Sequence, residues 1–173
     1  MNFEDVTIIS VVGRQNTGKT TLIRGLIPKL KERGYRVGTL KYNIREFEMD
    51  HEGKDTYKYF HSGADTVAIS SQDEVAVIKK VEAPPQISEI IEKYFNDVNI
   101  MLVEGYRSGD YPRIKIMDAQ KMEIDVNNSD NNELLLVRET LNMGRFSEED
   151  MNKALDFVED IISNNKGVIQ KNA

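Results

Sequence analysis

Cysteine is absent from the 173-residue sequence, so no disulfide, thiolate nucleophile or cysteine-based zinc site is available to it. Histidine is scarce: His51 and His61 are the only two, and neither has a second histidine at ligand spacing, which argues against a zinc centre. Cations are in the minority, with 23 Lys and Arg against 29 Asp and Glu and a formal charge of -6. A long nucleic-acid surface needs clustered cations to displace condensed counterions, so nucleic acid is not an expected partner. A small anionic ligand held by local geometry remains compatible with that charge. Long apolar runs are missing as well. The stretch "TIISVV" is too short to span a bilayer, and "MNFEDVTIISVVG" carries two acids and no basic residue before its apolar run, the wrong charge for a secretory leader. A cytoplasmic protein with no membrane partner is the expectation.

Apolar residues at 39% and charged residues at 30% suit a globular chain, and this length leads to an expectation of one domain over residues 1–163 with a frayed tail over 164–173. Thr7 to Val12 reads as a short buried strand ending at Gly13. Leu22, Ile23, Leu26, Ile27 and Leu30 then recur at helical spacing up to Gly34, with Pro28 expected to kink that helix or weaken one turn. "YRVGTLKY" reads as the next strand, so the first 42 residues form a βαβ unit and point to a parallel sheet covered by helices. A polar loop leads into a short helix within "KDTYKYFHSGAD" that stops at Gly63. "TVAIS" and "VAVIKKV", separated by "SQDE", fit a hairpin that adds an antiparallel piece to the sheet. A helical stripe over Ile87, Ile90, Ile91 and Tyr94 follows. Strands are then expected at Val98 to Val103, in "PRIKIMD" and in "ELLLV". Ser147 with Asp150 three residues on forms a capping box for a last helix. The fold class is three-layer α/β with a mostly parallel sheet and a small antiparallel extension.

Gly13-Arg14-Gln15-Asn16-Thr17-Gly18-Lys19-Thr20 fits G-x-x-x-x-G-K-S/T at each fixed position, after a strand and opening a helix. In that context the backbone N–H groups of Gly13 to Thr21 turn inward and the helix adds the positive end of its dipole, a cradle for an oligophosphate. Lys19 is expected on the β- and γ-phosphates and the Thr20 hydroxyl on Mg²⁺. Glu104, directly after "NIMLV", stands where such folds place a carboxylate that holds the metal or its water, while Asp97 belongs to the far end of the same strand. Arg107, three residues on, is either an anion contact or solvated.

With "NTGKTTL" at 16–22, "GYRVGTLK" at 34–41, "FEMDHEGKDTYKYFHSGAD" at 47–65, "LVEGYR" at 102–107 and "YPRIKI" at 111–116, the chain resembles the molybdopterin-guanine dinucleotide biosynthesis protein B family of P-loop GTP-binding proteins. The resemblance covers roughly residues 6–162, and the Gly-Lys-Asp-Thr-Tyr block is its most specific part. It implies a cytoplasmic homodimer that binds GTP with Mg²⁺ and hydrolyses it weakly. It also implies an accessory role beside the guanylyltransferase that attaches GMP to molybdopterin, with the pterin itself as a further candidate ligand. Two departures stand out. Tyr42 follows the lysine that ends the second strand, where family members commonly have histidine, and Ser62 replaces the usual alanine.

Among the remaining candidates, Asp50 is expected to orient the attacking water or bind a metal-bound water, and Asp55 to do the same or to favour a helix start. Tyr57, Tyr59 and Phe60 read as core residues or as a face for a pterin. His61, late in its helix, favours the negative end of the dipole. "NKAL" at 152–155 lacks the acid of a guanine-reading Asn-Lys-x-Asp stretch and falls within the last helix. Residues 138–140 are better placed to touch a base, with nothing in them that selects guanine over adenine. Two other readings stay open: a small-molecule kinase with Asp50 or Asp55 as base, for which only Arg45 offers a lid cation, and a non-catalytic nucleotide-binding adaptor.

Overall fold

The β-branched run that opens the chain forms β1, Asp5–Gly13, in a computed structural model that describes residues 5–42, 44, 47, 50–108, 111–119, 132–138, 146–164 and 168–170. Ile9 and Val11 enter one buried cluster while Ile8, Ser10 and Val12 are buried on the opposite face. Burial on both faces is why the run is continuously apolar instead of alternating. Helix α1, Lys19–Glu32, follows and passes through Pro28. It ends in a Schellman arrangement: Gly34, at φ +85°, donates to Lys31 O at 2.9 Å and Tyr35 donates to Leu30 O at 3.2 Å, as a glycine at this left-handed position allows.

The remaining elements are β2 (Val37–Lys41), α2 (Asp55–His61), β3 (Thr66–Ser70), β4 (Val75–Lys79), α3 (Ile87–Tyr94), β5 (Ile100–Glu104), β6 (Arg113–Asp118), β7 (Glu133–Arg138), α4 (Glu148–Ser163) and β8 (Val168–Gln170). Parallel pairing orders the central sheet β2-β5-β1-β6-β7. The expected strand–helix–strand opening is present, yet β2 lies beside β5 and not beside β1. Helices α1 and α4 share one core with the sheet, in which Leu22, Leu26 and Leu30 meet Leu102, Ile114, Leu155 and Val158. The capping box is formed: Asp150 N donates to Ser147 Oγ at 3.0 Å and Ser147 N to Asp150 Oδ2 at 3.3 Å, satisfying two N–H groups that the helix start leaves unpaired. Among the described residues no helix is long and apolar enough to cross a membrane.

Contacts divide the chain into two compact units, residues 44–89 and the rest. In the smaller unit the expected hairpin forms, with Ser70 opposite Val75 and Thr66 opposite Lys79. It makes a two-stranded sheet of its own and is not an extension of the central one, because a strand's pattern fixes which face is apolar but not which edge it joins. Ser71 closes the turn, donating from N to Glu74 O at 2.8 Å and accepting at Oγ from Glu74 N at 3.1 Å. The tail also differs from expectation: residues Val168–Gln170 pair antiparallel with Asp5–Thr7. "GVIQ" supplies one short β-branched run, which suffices once the start of β1 offers a free edge.

Candidate functional site

Strand β1 delivers the chain to the loop at the carboxyl edge of the sheet, and close approach shapes the first corner. A Cβ on Gly13 would lie 2.6 Å from Thr17 Oγ1 and 2.8 Å from Ile116 O, so this glycine is required for space, not for a left-handed backbone. Further along, Asn16 at φ 61° and Gly18 at φ 95° take left-handed conformations, which turn the loop into the start of α1. Thr17 Oγ1 donates to Arg14 O at 2.9 Å and braces the turn. Gln15 and Asn16 are exposed, and Thr17, Gly18 and Thr21 are half-buried.

Lys19 folds back over this loop, its Nζ donating to Arg14 O at 2.7 Å and Gly13 O at 3.3 Å. Partial burial pushes its pKa below the ordinary 10.5, Glu104 opposes that shift, and Arg107 and Lys41 add to it. The lysine is therefore a cation held against two carbonyls with like charges close by, a state that an anion would relieve. The Thr20 hydroxyl donates to Glu104 Oε2 at 2.9 Å. That contact follows from topology: β5 is the parallel neighbour of β1, with Val11 opposite Glu104, so the last residue of β5 meets the first turn of α1. Two hard oxygen donors this close suit Mg²⁺, which prefers a few protein oxygens and completes its shell with phosphate and water. Arg107 is not merely solvated, since its Nη2 reaches Gly13 O at 3.3 Å. Beneath the edge, buried Ser10 donates from Oγ to Tyr106 O, and Gly105 N donates to Val11 O at 3.0 Å; these bonds tie the "EGYR" turn to β1.

The structure thus brings Gly13, Lys19, Thr20, Glu104 and Arg107 together, and leaves Asp97 paired with Arg36 beside Asn99 near the strand's opposite end. Asp50 belongs to the smaller unit, where its carboxylate accepts from Thr56 Oγ1 and from His51 N at 2.8 Å. The Thr56 bond, then the His51 amide, hold its pKa below the usual carboxylate value. Asp55 sits in the first turn of α2 and pairs with Lys58 at 3.2 Å, the helix-start position weighed for it. Tyr57, Tyr59 and Phe60 are not core residues: α2 buries none of its side chains. A short helix carrying one exposed aromatic, Tyr59, and two half-buried ones has too little apolar stripe to define an interior. Tyr57 instead stacks on His61 at 3.8 Å between centroids, and His61 Nδ1 lies 2.8 Å from Tyr57 O. Tyr42 donates from N to Glu104 O at 3.0 Å and sets its ring edge-on to Tyr106 at 5.1 Å. "NKAL" lies within α4 with Ala154 and Leu155 buried. Arg45, Glu139 and Thr140 lie outside the described residues.

One neighbour escaped the sequence reading. Lys41 ends β2 opposite Glu104, and only the strand order, which no local motif encodes, makes it part of this edge.

Residues 8–139 match the family model described as molybdopterin guanine dinucleotide synthesis protein B. A probable molybdopterin-guanine dinucleotide biosynthesis adapter protein of Bacillus subtilis is 32% identical over 117 residues, covering 66% of each chain. The molybdopterin-guanine dinucleotide biosynthesis adapter protein of Haemophilus influenzae is 26% identical over 118 residues, covering 68% of this chain and 66% of its own. The chain thus spans just under two thirds of the length of these curated relatives. A crystal structure of Bacillus subtilis MobB superposes with a TM-score of 0.66 at 28% identity, covering 89% of this chain and 96% of that one. The chain belongs to the molybdopterin guanine dinucleotide synthesis protein B family.

Proposed function

We propose that this protein binds GTP with Mg²⁺, hydrolyses it slowly, and acts as an accessory protein in the formation of molybdopterin guanine dinucleotide. The observation that carries the reading is the Thr20–Glu104 pair at 2.9 Å beside Lys19 at the mouth of the loop. A phosphate cradle, a cation and a hard-oxygen donor pair stand together on one sheet edge. The loop N–H groups and Lys19 hold the phosphates and stabilise the charge that develops as the terminal P–O bond breaks. Thr20 and Glu104 are the residues that would hold the metal, and Glu104 would also orient a water beside it. Magnesium, when bound, neutralises phosphate charge and orders that water. Asp50 is better read as a clamp at the start of α2 than as a base, because its oxygens already accept from Thr56 and His51.

The guanine preference, the molybdopterin guanylyltransferase and other molybdenum cofactor proteins as partners, molybdopterin as a further ligand and the cytoplasm as the place of work rest on family membership and the relatives' names. A homodimer rests on the family resemblance and gains support from the hairpin. Val75 and Val77 are exposed on one face of it, and among the described residues neither of its edges pairs with another strand, an arrangement that is marginal unless something covers it; a second copy is the occupant we assign.

The test is to titrate GTP and ATP, with Mg²⁺, into wild type and Lys19→Ala, and to follow phosphate release with and without candidate acceptors. GTP preference, loss of affinity in the variant and acceptor-independent release are expected. ATP preference with acceptor-dependent turnover would establish the kinase reading instead.

A further inference from the structure

The carboxyl edge carries one cation that the nucleotide reading leaves unassigned. Lys41 is the register partner of Glu104, and Glu104 is the partner of Val11. Partners in a parallel pair project to the same face of a sheet, and Val11 belongs to the cluster shared with α1. Lys41 and Glu104 therefore project to the face on which α1 lies, where Thr20 reaches Glu104. Tyr42 N, bonded to Glu104 O at 3.0 Å, fixes that register at the strand end.

Strand β5 separates β2 from β1, so the Lys41 backbone lies two strand spacings, about 10 Å, from the strand that feeds the loop. A phosphate lying along the edge past Thr20 and Glu104 would be nearer to Lys41 than phosphates held within the loop. Lys41 is exposed, and its charge is felt at Lys19. Lys19 feels the charges of Arg107 and Lys41 as well as that of Glu104, three cations against one carboxylate in a chain of formal charge -6. We propose that Lys41 reads the terminal phosphate of a bound nucleoside triphosphate and makes this site prefer a triphosphate to a diphosphate. The proposal rests on the nucleotide reading above.

The experiment is calorimetric titration of the full chain, with Mg²⁺, using GDP and a non-hydrolysable GTP analogue. Lys41→Met is expected to lose about tenfold in affinity for the triphosphate, the scale of one charge-assisted contact, with GDP affinity changed by less than about twofold. Lys41→Arg keeps the charge and retains most of the preference. Equal losses for both ligands, or none for either, overturn the assignment. Lys19→Ala separates the two levels of the argument: it must weaken both ligands. If it weakens neither, or if wild type binds neither, the nucleotide reading falls and the assignment falls with it.

Discussion

Replacing Gly13 with alanine forces a methyl group into a corner that has no room for it. The added Cβ would lie 2.8 Å from Ile116 O and 2.6 Å from Thr17 Oγ1. Ile116 pairs with Gly13 on one side and with Leu136 on the other, so its carbonyl cannot withdraw without disturbing three strands. The Thr17 hydroxyl can rotate, but only by giving up its bond to Arg14 O. Overpacking costs about 1–3 kcal/mol and the lost hydrogen bond about 1 kcal/mol, for a total of roughly 2–4 kcal/mol. At about 2–4 °C per kcal/mol for a chain of this size, Tm should fall by roughly 5–15 °C. Gly25→Ala is the internal comparison. Among the described residues its Cβ would meet only Met151, chiefly the terminal Cε at 2.0 Å, which is the end of a flexible side chain. Repacking there is offset by about 1 kcal/mol of helix propensity, so Tm should stay within a few degrees of wild type. Thermal unfolding of the three proteins by circular dichroism decides the matter. If Gly13→Ala melts within about 1 °C of wild type, or if Gly25→Ala is the more damaging of the two, the close-approach argument for the loop is refuted.

Thr20→Val removes one of the two oxygens proposed for the metal while keeping side-chain shape. Its apo stability should drop by no more than about 1 kcal/mol, whereas Mg²⁺ should no longer enhance nucleotide affinity; titration with and without the metal reads this directly. Nucleotide affinity should also depend on pH through Lys19, whose pKa lies below 10.5 in the free protein. On the proposed reading the protonated lysine would bind phosphate and then hold its proton more tightly. Affinity is therefore full below the free-state pKa and declines as pH rises through it, earlier than an unperturbed lysine would allow; Lys19→Arg should shift that decline to higher pH. In the hairpin, Val75 is 70% exposed, and Val75→Lys with Val77→Lys should cost the monomer within about 0.5 kcal/mol while shifting sedimentation from dimer to monomer. An unaltered dimer would remove the hairpin from the interface.

Features whose causes lie within a few residues were legible in the sequence. The turn from β1 into α1 declares itself through Gly13 and Gly18, and the α4 start through Ser147 and Asp150, because each feature is a local solution to close approach or to unpaired N–H groups. Glu104 was legible by a weaker route, as the carboxylate at the end of a buried strand. What escaped depends on pairing between distant segments. The position of β2 beyond β5 makes Lys41 a neighbour of Glu104, and the pairing of "VIQ" with the start of β1 turns an expected frayed end into a strand. Asp50 was read from its place beside the polar loop, while its bond to Thr56, the second residue of α2 and part of the Gly-Lys-Asp-Thr-Tyr block, was not foreseen. The aromatic residues of α2 followed the rule that rings are buried, which fails in a seven-residue helix with no buried face.

The central claim joins a nucleotide site to an accessory role, and one reconstitution tests both. Molybdopterin, GTP, Mg²⁺ and the guanylyltransferase are combined with wild type, with Lys19→Ala or with no addition, and the rate of molybdopterin guanine dinucleotide formation is measured. The account predicts a faster rate with wild type and a rate indistinguishable from no addition with Lys19→Ala. Stimulation that survives Lys19→Ala undiminished, or no stimulation by wild type at all, would contradict it.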